Sequence, residues 1–118
     1  MGVGFPQQQY LVRFGELVAD YFGHMPYHVG SSLKLKSGWR DVDVRLLLPD
    51  DEYDALFTGD NGMVNHRWAP LCMAWSALGE KMTGLPIDFQ IQKLTEANKD
   101  DGPRSVIGSV QHHYGRSV

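Results

Sequence analysis

The sequence predicts an α/β (α+β) domain, a small β-sheet with helices packed on it, in the order α-β-α-β-α-β. Three observations carry this expectation. Residues 7–22 and 67–83 repeat apolar side chains at the spacing of one helix face. Residues 41–48 and 87–92 are aliphatic-rich and alternate in character, as half-buried strands do. Glycine and proline clusters separate these segments.

The chain has 118 residues, enough for one domain with roughly two-thirds of its surface buried. Its 42% hydrophobic and 21% charged residues are ordinary for a water-soluble protein. A formal net charge of -3 argues against a general binder of nucleic acid or anionic membrane, while allowing a local basic patch. One cysteine, Cys72, allows no intrachain disulfide and reads as a small buried hydrophobe. No run has the length of a membrane span, the first residues lack a basic-then-apolar leader, and Pro6 stands where a myristoylation signal needs Ser or Thr. The expectation is a cytoplasmic protein with no membrane attachment.

Along the chain, Pro6 opens a helix over 7–22 with Tyr10, Leu11, Phe14, Leu17, Val18, Tyr21 and Phe22 as its apolar stripe, and Gly23 stops it. A short strand over 25–29 leads into Gly30-Ser31-Ser32, a turn with a short helix after it, and an insert over 33–40. Residues 41–48 form the second strand, ended by Pro49. Asp50 is expected to cap a helix over 50–57, whose first turn carries Asp51 and Glu52. A loop over 58–62 precedes the helix over 67–83, where Trp68, Leu71, Cys72, Trp75, Leu78 and Met82 face inward. Ile87, Phe89 and Ile91 give the next strand its core face. Beyond Thr95 the signal fades: a polar loop over 96–104, a short strand over 105–110, and a tail whose adjacent His112 and His113 make a poor metal pair. The whole reads as one domain over 1–118, its core at about 8–92 and its C-terminal extension at 95–118.

The chemistry concentrates on the polar faces of the strands. Asp41, Asp43 and Arg45 share one face of their strand, opposite Val42, Val44, Leu46 and Leu48. Two carboxylates side by side repel and are costly to bury, so a bound cation is their natural explanation. Asp88 adds a third carboxylate on the polar face of another strand. Gly30, Ser31 and Ser32 offer backbone N–H groups to a phosphate, and Lys34, Lys36 and Arg40 lie just downstream. Hard oxygen donors suit Mg²⁺ or Mn²⁺, and the lack of Cys and His in the set argues against zinc. The plain alternative is a capped turn followed by solvated aspartates on an edge strand.

Taken together, Val29-Gly30-Ser31, nine residues, Asp41-Val42-Asp43-Val44 and then Ile87-Asp88-Phe89 resemble the nucleotidyltransferase-fold superfamily, the group related to DNA polymerase beta. Its pattern is a hydrophobic residue with Gly-Gly or Gly-Ser, a spacer, Asp-x-Asp/Glu, and a later acid between hydrophobics. The resemblance covers about residues 8–92 and implies a small mixed sheet. It implies that Asp41, Asp43 and Asp88 are catalytic ligands of two Mg²⁺ or Mn²⁺ ions. Gly30 and Ser31 would contact the phosphates of a nucleoside triphosphate, with Ser32, Lys34 and Lys36 beside them. The implied reaction is ATP- or NTP-dependent transfer of a nucleoside monophosphate to a hydroxyl acceptor, with release of pyrophosphate. Small stand-alone members often carry an Ala-Arg-Gly-like segment after Gly-Ser, where this chain has Ser32 to Lys36. Most active members also carry a further helical domain, for which this chain is too short. A protein partner or a second copy is then expected to supply the acceptor surface. The alternative implied by the resemblance is a catalytically silent, antitoxin-like domain that binds nucleotide or a partner protein.

Overall fold

In the computed structural model, residues 3–4, 6–35, 38, 40–58 and 66–108 are described. Lys36, Trp39, residues 59–65, which take in most of the loop expected over 58–62, and residues 109–118, with His112 and His113, lie outside the described residues. The elements run α1 (Gln7–Phe22), β1 (Tyr27–Val29), α2 (Ser31–Lys34), β2 (Val42–Leu48), α3 (Asp50–Phe57), α4 (Trp68–Thr83), β3 (Ile87–Lys93), α5 (Leu94–Ala97) and β4 (Ser105–Val106). The class is mixed α+β.

Four strands form one mixed sheet in the order β3-β2-β1-β4. β2 and β3 are parallel, and β1 is antiparallel to both β2 and β4. A parallel neighbour needs a crossover connection, which α3 and α4 supply between β2 and β3. β2 is central, and its alternation is resolved as expected: Val42, Val44, Leu46 and Leu48 are buried, whereas Asp43 and Arg45 are only partly so.

One face of the sheet carries the core. Leu11, Phe14 and Val18 of α1 and Cys72 of α4 join the inward residues of β2 and β3 there. Phe14, Phe22, Trp75 and Phe89 form an aromatic cluster with contacting ring centroids 5.4–6.4 Å apart, in tilted, edge-on and, for Phe22 with Phe89, stacked arrangements. Trp68 and Trp75 pack against this core, and burial pushes the Cys72 thiol up from its usual range. α1 buries a narrower stripe than its sequence predicts: Tyr10, Leu17 and Tyr21 are exposed, Tyr21 at 71%. The helix docks through Leu11, Phe14, Gly15, Val18 and Ala19, and a Cβ on Gly15 would run into the Ile107 carbonyl.

β3 is an edge strand, and α4 closes that edge. Ser76 Oγ accepts from the Phe89 N–H at 2.9 Å and donates to the Phe89 carbonyl at 3.4 Å. Trp68 Nε1 donates to the Ile91 carbonyl at 2.8 Å. The opposite edge, β4, is only two residues long.

Three boundary expectations are corrected. The first strand begins at Tyr27 rather than at 25, and the last covers Ser105–Val106 rather than 105–110, with 109 and 110 outside the described residues. Asp50 does not cap its own helix: Pro49 holds the N-cap position. The Asp50 carboxylate instead accepts from Thr95 N–H at 3.2 Å and Thr95 Oγ1 at 2.8 Å, which satisfies the start of α5. No helix among the described residues is long and apolar enough to cross a membrane.

Candidate functional site at the Gly30 turn and the Asp43–Asp88 row

The open face of the sheet carries the polar residues of β2 and β3. Parallel pairing sets Asp43 opposite Asp88, Arg45 opposite Gln90 and Leu47 opposite Gln92. β1 then sets Val29 opposite Asp43, so that the Gly30 turn lies directly beside the acidic row.

Gly30 has φ 80° and ψ -164°, a conformation essentially reserved for glycine. The reason is visible in its surroundings, because a Cβ there would collide with Asp43 Oδ2. The turn and the carboxylate are thus fitted to each other. α2 begins at once, and Ser31 is exposed in its first turn, where helix N–H groups have no intrahelical acceptor. Lys34, in the last turn of α2, is exposed beside the same groove.

Ser32 faces the other way. It is fully buried, with its Oγ 2.7 Å from Nε2 of His28, itself 1% exposed. Burial pushes the His28 imidazole below its usual range, so it is held neutral. Its Nδ1 has no hydrogen-bond partner among the described residues. What Ser32 can offer an anion is therefore its backbone N–H, its hydroxyl being committed to His28. The sequence reading missed His28, because its partner lies across a glycine turn at the end of a three-residue strand.

Arg45 ties the acidic row together. Its guanidinium donates to the Asp88 carbonyl at 2.7 Å and to Asp88 Oδ2 at 3.3 Å, and it lies 3.7 Å from Asp43 Oδ1. Gln90 Nε2 donates to Asp88 Oδ1 at 3.4 Å. Strand alternation already places Arg45 on the carboxylate face, which is the signal that marks it. Partial burial holds the Asp43 carboxyl above its usual range. Arg45 works against that, while Asp88 and Asp41 add to it. Asp41 lies just before β2 and is exposed, within electrostatic reach of Asp43.

Of the three sequence-predicted acids, Asp43 and Asp88 are brought side by side and Asp41 stands next to them in solvent. Among the described residues no three His, Cys, Asp or Glu side chains form a ready-made metal cage. Mg²⁺ does not require one, since it is commonly held by one or two carboxylates together with phosphate and water. Three carboxylates against one guanidinium also leave two negative charges for a divalent ion to balance. The donor chemistry therefore fits Mg²⁺ or Mn²⁺ carried in with a phosphate ligand. No family model matches this chain, and neither a curated protein nor a solved structure matches it.

Proposed function

We propose that the protein is a minimal metal-dependent nucleotidyltransferase, moving a nucleoside monophosphate from a nucleoside triphosphate to a hydroxyl acceptor with release of pyrophosphate. The observation that carries this reading is the register pairing of Asp43 with Asp88 beside the Gly30 turn. The nucleotidyltransferase-like order of the Gly-Ser turn, Asp-x-Asp strand and third acid supports it further. Asp43 and Asp88, with Asp41 beside them, would hold two Mg²⁺ or Mn²⁺ ions. When bound, such ions neutralise phosphate charge and lower the pKa of an attacking hydroxyl.

The chain's own residues have separate tasks. Gly30 lets the backbone come close to the ligand, because any side chain there would displace Asp43. Backbone N–H groups of Ser31 and Ser32 would face the phosphates, and Lys34, exposed at the end of α2, would supply positive charge along them. Arg45 holds Asp88 by both its backbone and its carboxylate, so the second acid is oriented before any ligand arrives. His28 keeps Ser32 fixed from inside. The acceptor surface would come from a protein partner or a second copy.

Arg45 also favours a second reading. A guanidinium already lying between Asp43 and Asp88 supplies part of the charge that a metal would, which suits a silent, antitoxin-like domain that binds nucleotide or a partner without transfer.

Isothermal titration with Mg²⁺ and each nucleoside triphosphate separates these readings. The expected result is metal-dependent binding that is lost in Asp43→Asn and in Asp88→Asn, both checked for folding by circular dichroism. Transfer of α-labelled nucleotide to a lysate component establishes the enzyme; binding without transfer establishes the silent domain. No metal-dependent binding by the wild-type chain overturns both nucleotide-binding readings.

A further inference from the structure

Asp43, at one side of the acidic row, marks one end of a longer trough. A cavity of about 760 Å³ runs over the open face of the sheet, from Gly30 and Asp43 to Leu47, Tyr53 and Gln92. That volume lies within the range of small-ligand sites. Its floor follows the β2–β3 register: Asp43 from the first row, whose Asp88 lies outside the cavity lining, then Arg45 with Gln90, then Leu47 with Gln92. The first and third rows are four residues apart, about 13 Å at strand rise.

The rows differ in chemistry. The first is anionic. In the second, Arg45 and Gln90 are both engaged with Asp88. The third sets an aliphatic face, Leu47 at 8% exposure, beside an amide. Gln92 is partly buried and lines the trough, yet its side chain has no hydrogen-bond partner among the described residues. The other long polar side chains at that end are committed: Lys93 lies 2.8 Å from Asp54, and Arg104 donates to the Ala97 carbonyl and to Asn98. An apolar floor beside a donor–acceptor amide with no partner among the described residues suits a flat ring with hydrogen-bonding atoms on its edge. A glutamine amide pairs two-pronged with the N6 and N7 atoms of adenine.

Resting on the nucleotide-binding reading above, we infer that this third row is a base subsite for adenine, with the ring lying on Leu47 and its edge read by Gln92. The 5′-phosphate of the same nucleotide then points along the trough to the Gly30 turn.

The test measures AMP, GMP, CMP and UMP binding in EDTA, and separately the binding of Mg²⁺ tripolyphosphate to the wild-type chain. AMP is expected to bind about tenfold more tightly than the other three, the discrimination of one good two-pronged pair. Gln92→Leu and Gln92→Glu, each confirmed as folded by circular dichroism, are expected to abolish that preference. Equal binding of the four monophosphates, preference for another base, or an AMP preference that survives in both variants overturns the inference. Tripolyphosphate binding then shows whether the phosphate end survives: if Mg²⁺ tripolyphosphate binds without base preference, only the base subsite falls. If neither probe binds, both readings fall. AMP preference lost on Gln92 substitution, with no tripolyphosphate binding, upholds the base subsite and removes the metal–phosphate reading.

Discussion

Replacing Gly30 with alanine tests the fit between turn and carboxylate on which the site depends. Two separate costs are expected. At φ 80° and ψ -164° the backbone lies where non-glycine residues cost of order 1–3 kcal/mol. The new Cβ must also push Asp43 Oδ2 aside, and such crowding typically costs about 1–3 kcal/mol. The sum, about 2–6 kcal/mol, is a large share of the roughly 5–15 kcal/mol available to a domain. Gly23→Ala is the control. Gly23 has φ 82° and ψ 5° with nothing within 4 Å of an added Cβ, so only the left-handed backbone cost of about 1–2 kcal/mol applies. Urea unfolding of both variants, analysed with a shared slope, gives the comparison. In an Asp43→Ala background the steric part of the Gly30→Ala cost should vanish, leaving a coupling of about 1–3 kcal/mol. If Gly30→Ala costs no more than Gly23→Ala, or if the double variant shows no coupling, the proposed fit is wrong.

Three further outcomes are expected. His28 is buried with its pKa lowered from 6.5, so its contribution to stability is complete above pH 6.5 and is lost as pH falls from there through the folded-state value. Urea midpoints measured from pH 8 to 5 should show this loss, and His28→Gln should flatten the profile over that window. Asp43 has its pKa raised from 3.8, so its ionised form burdens the fold above the raised value, and the burden lifts as pH falls toward 3.8. In EDTA, Asp43→Asn should therefore match or exceed wild-type stability at pH 7, with the difference shrinking toward pH 3.8; thermal melts at both pH values check it. Ser76→Ala strips the Phe89 N–H and carbonyl of their edge partner and should cost about 1–3 kcal/mol in urea unfolding, with light scattering rising at high concentration.

Much of the fold is legible in the sequence because its longer elements carry their own period. The helices over 7–22 and 50–57 match α1 and α3, and Gly23 and Gly84 end α1 and α4 with the positive φ that suits glycine. Strand alternation also separates Asp43 and Arg45 from Val42 and Val44 correctly. Pairing is not legible in the same way. Nothing local to β2 says that β3 lies parallel to it or that β1 lies antiparallel on its other side, yet that register is what sets Asp43 against Asp88. The same limit hides Asp50, whose partner Thr95 is distant in sequence although its own helix start offers a ready local explanation. α5 and β4 are too short to show a period and depend on tertiary contacts, among them the Arg104 bond to the Ala97 carbonyl.

The acidic row has no existence in any partly folded chain. Asp43 and Asp88 meet only after the chain has passed through α3 and α4 and β3 has docked parallel to β2, a non-local pairing of the kind that forms slowly. Whatever binds there discriminates between native and denatured molecules, so its binding free energy is added to folding stability by mass action. A ligand at a hundred times its dissociation constant would contribute about 2.7 kcal/mol. Thermal shift in the presence of candidate nucleotides and divalent ions is therefore a direct screen for the occupant, because the site and the native state appear together.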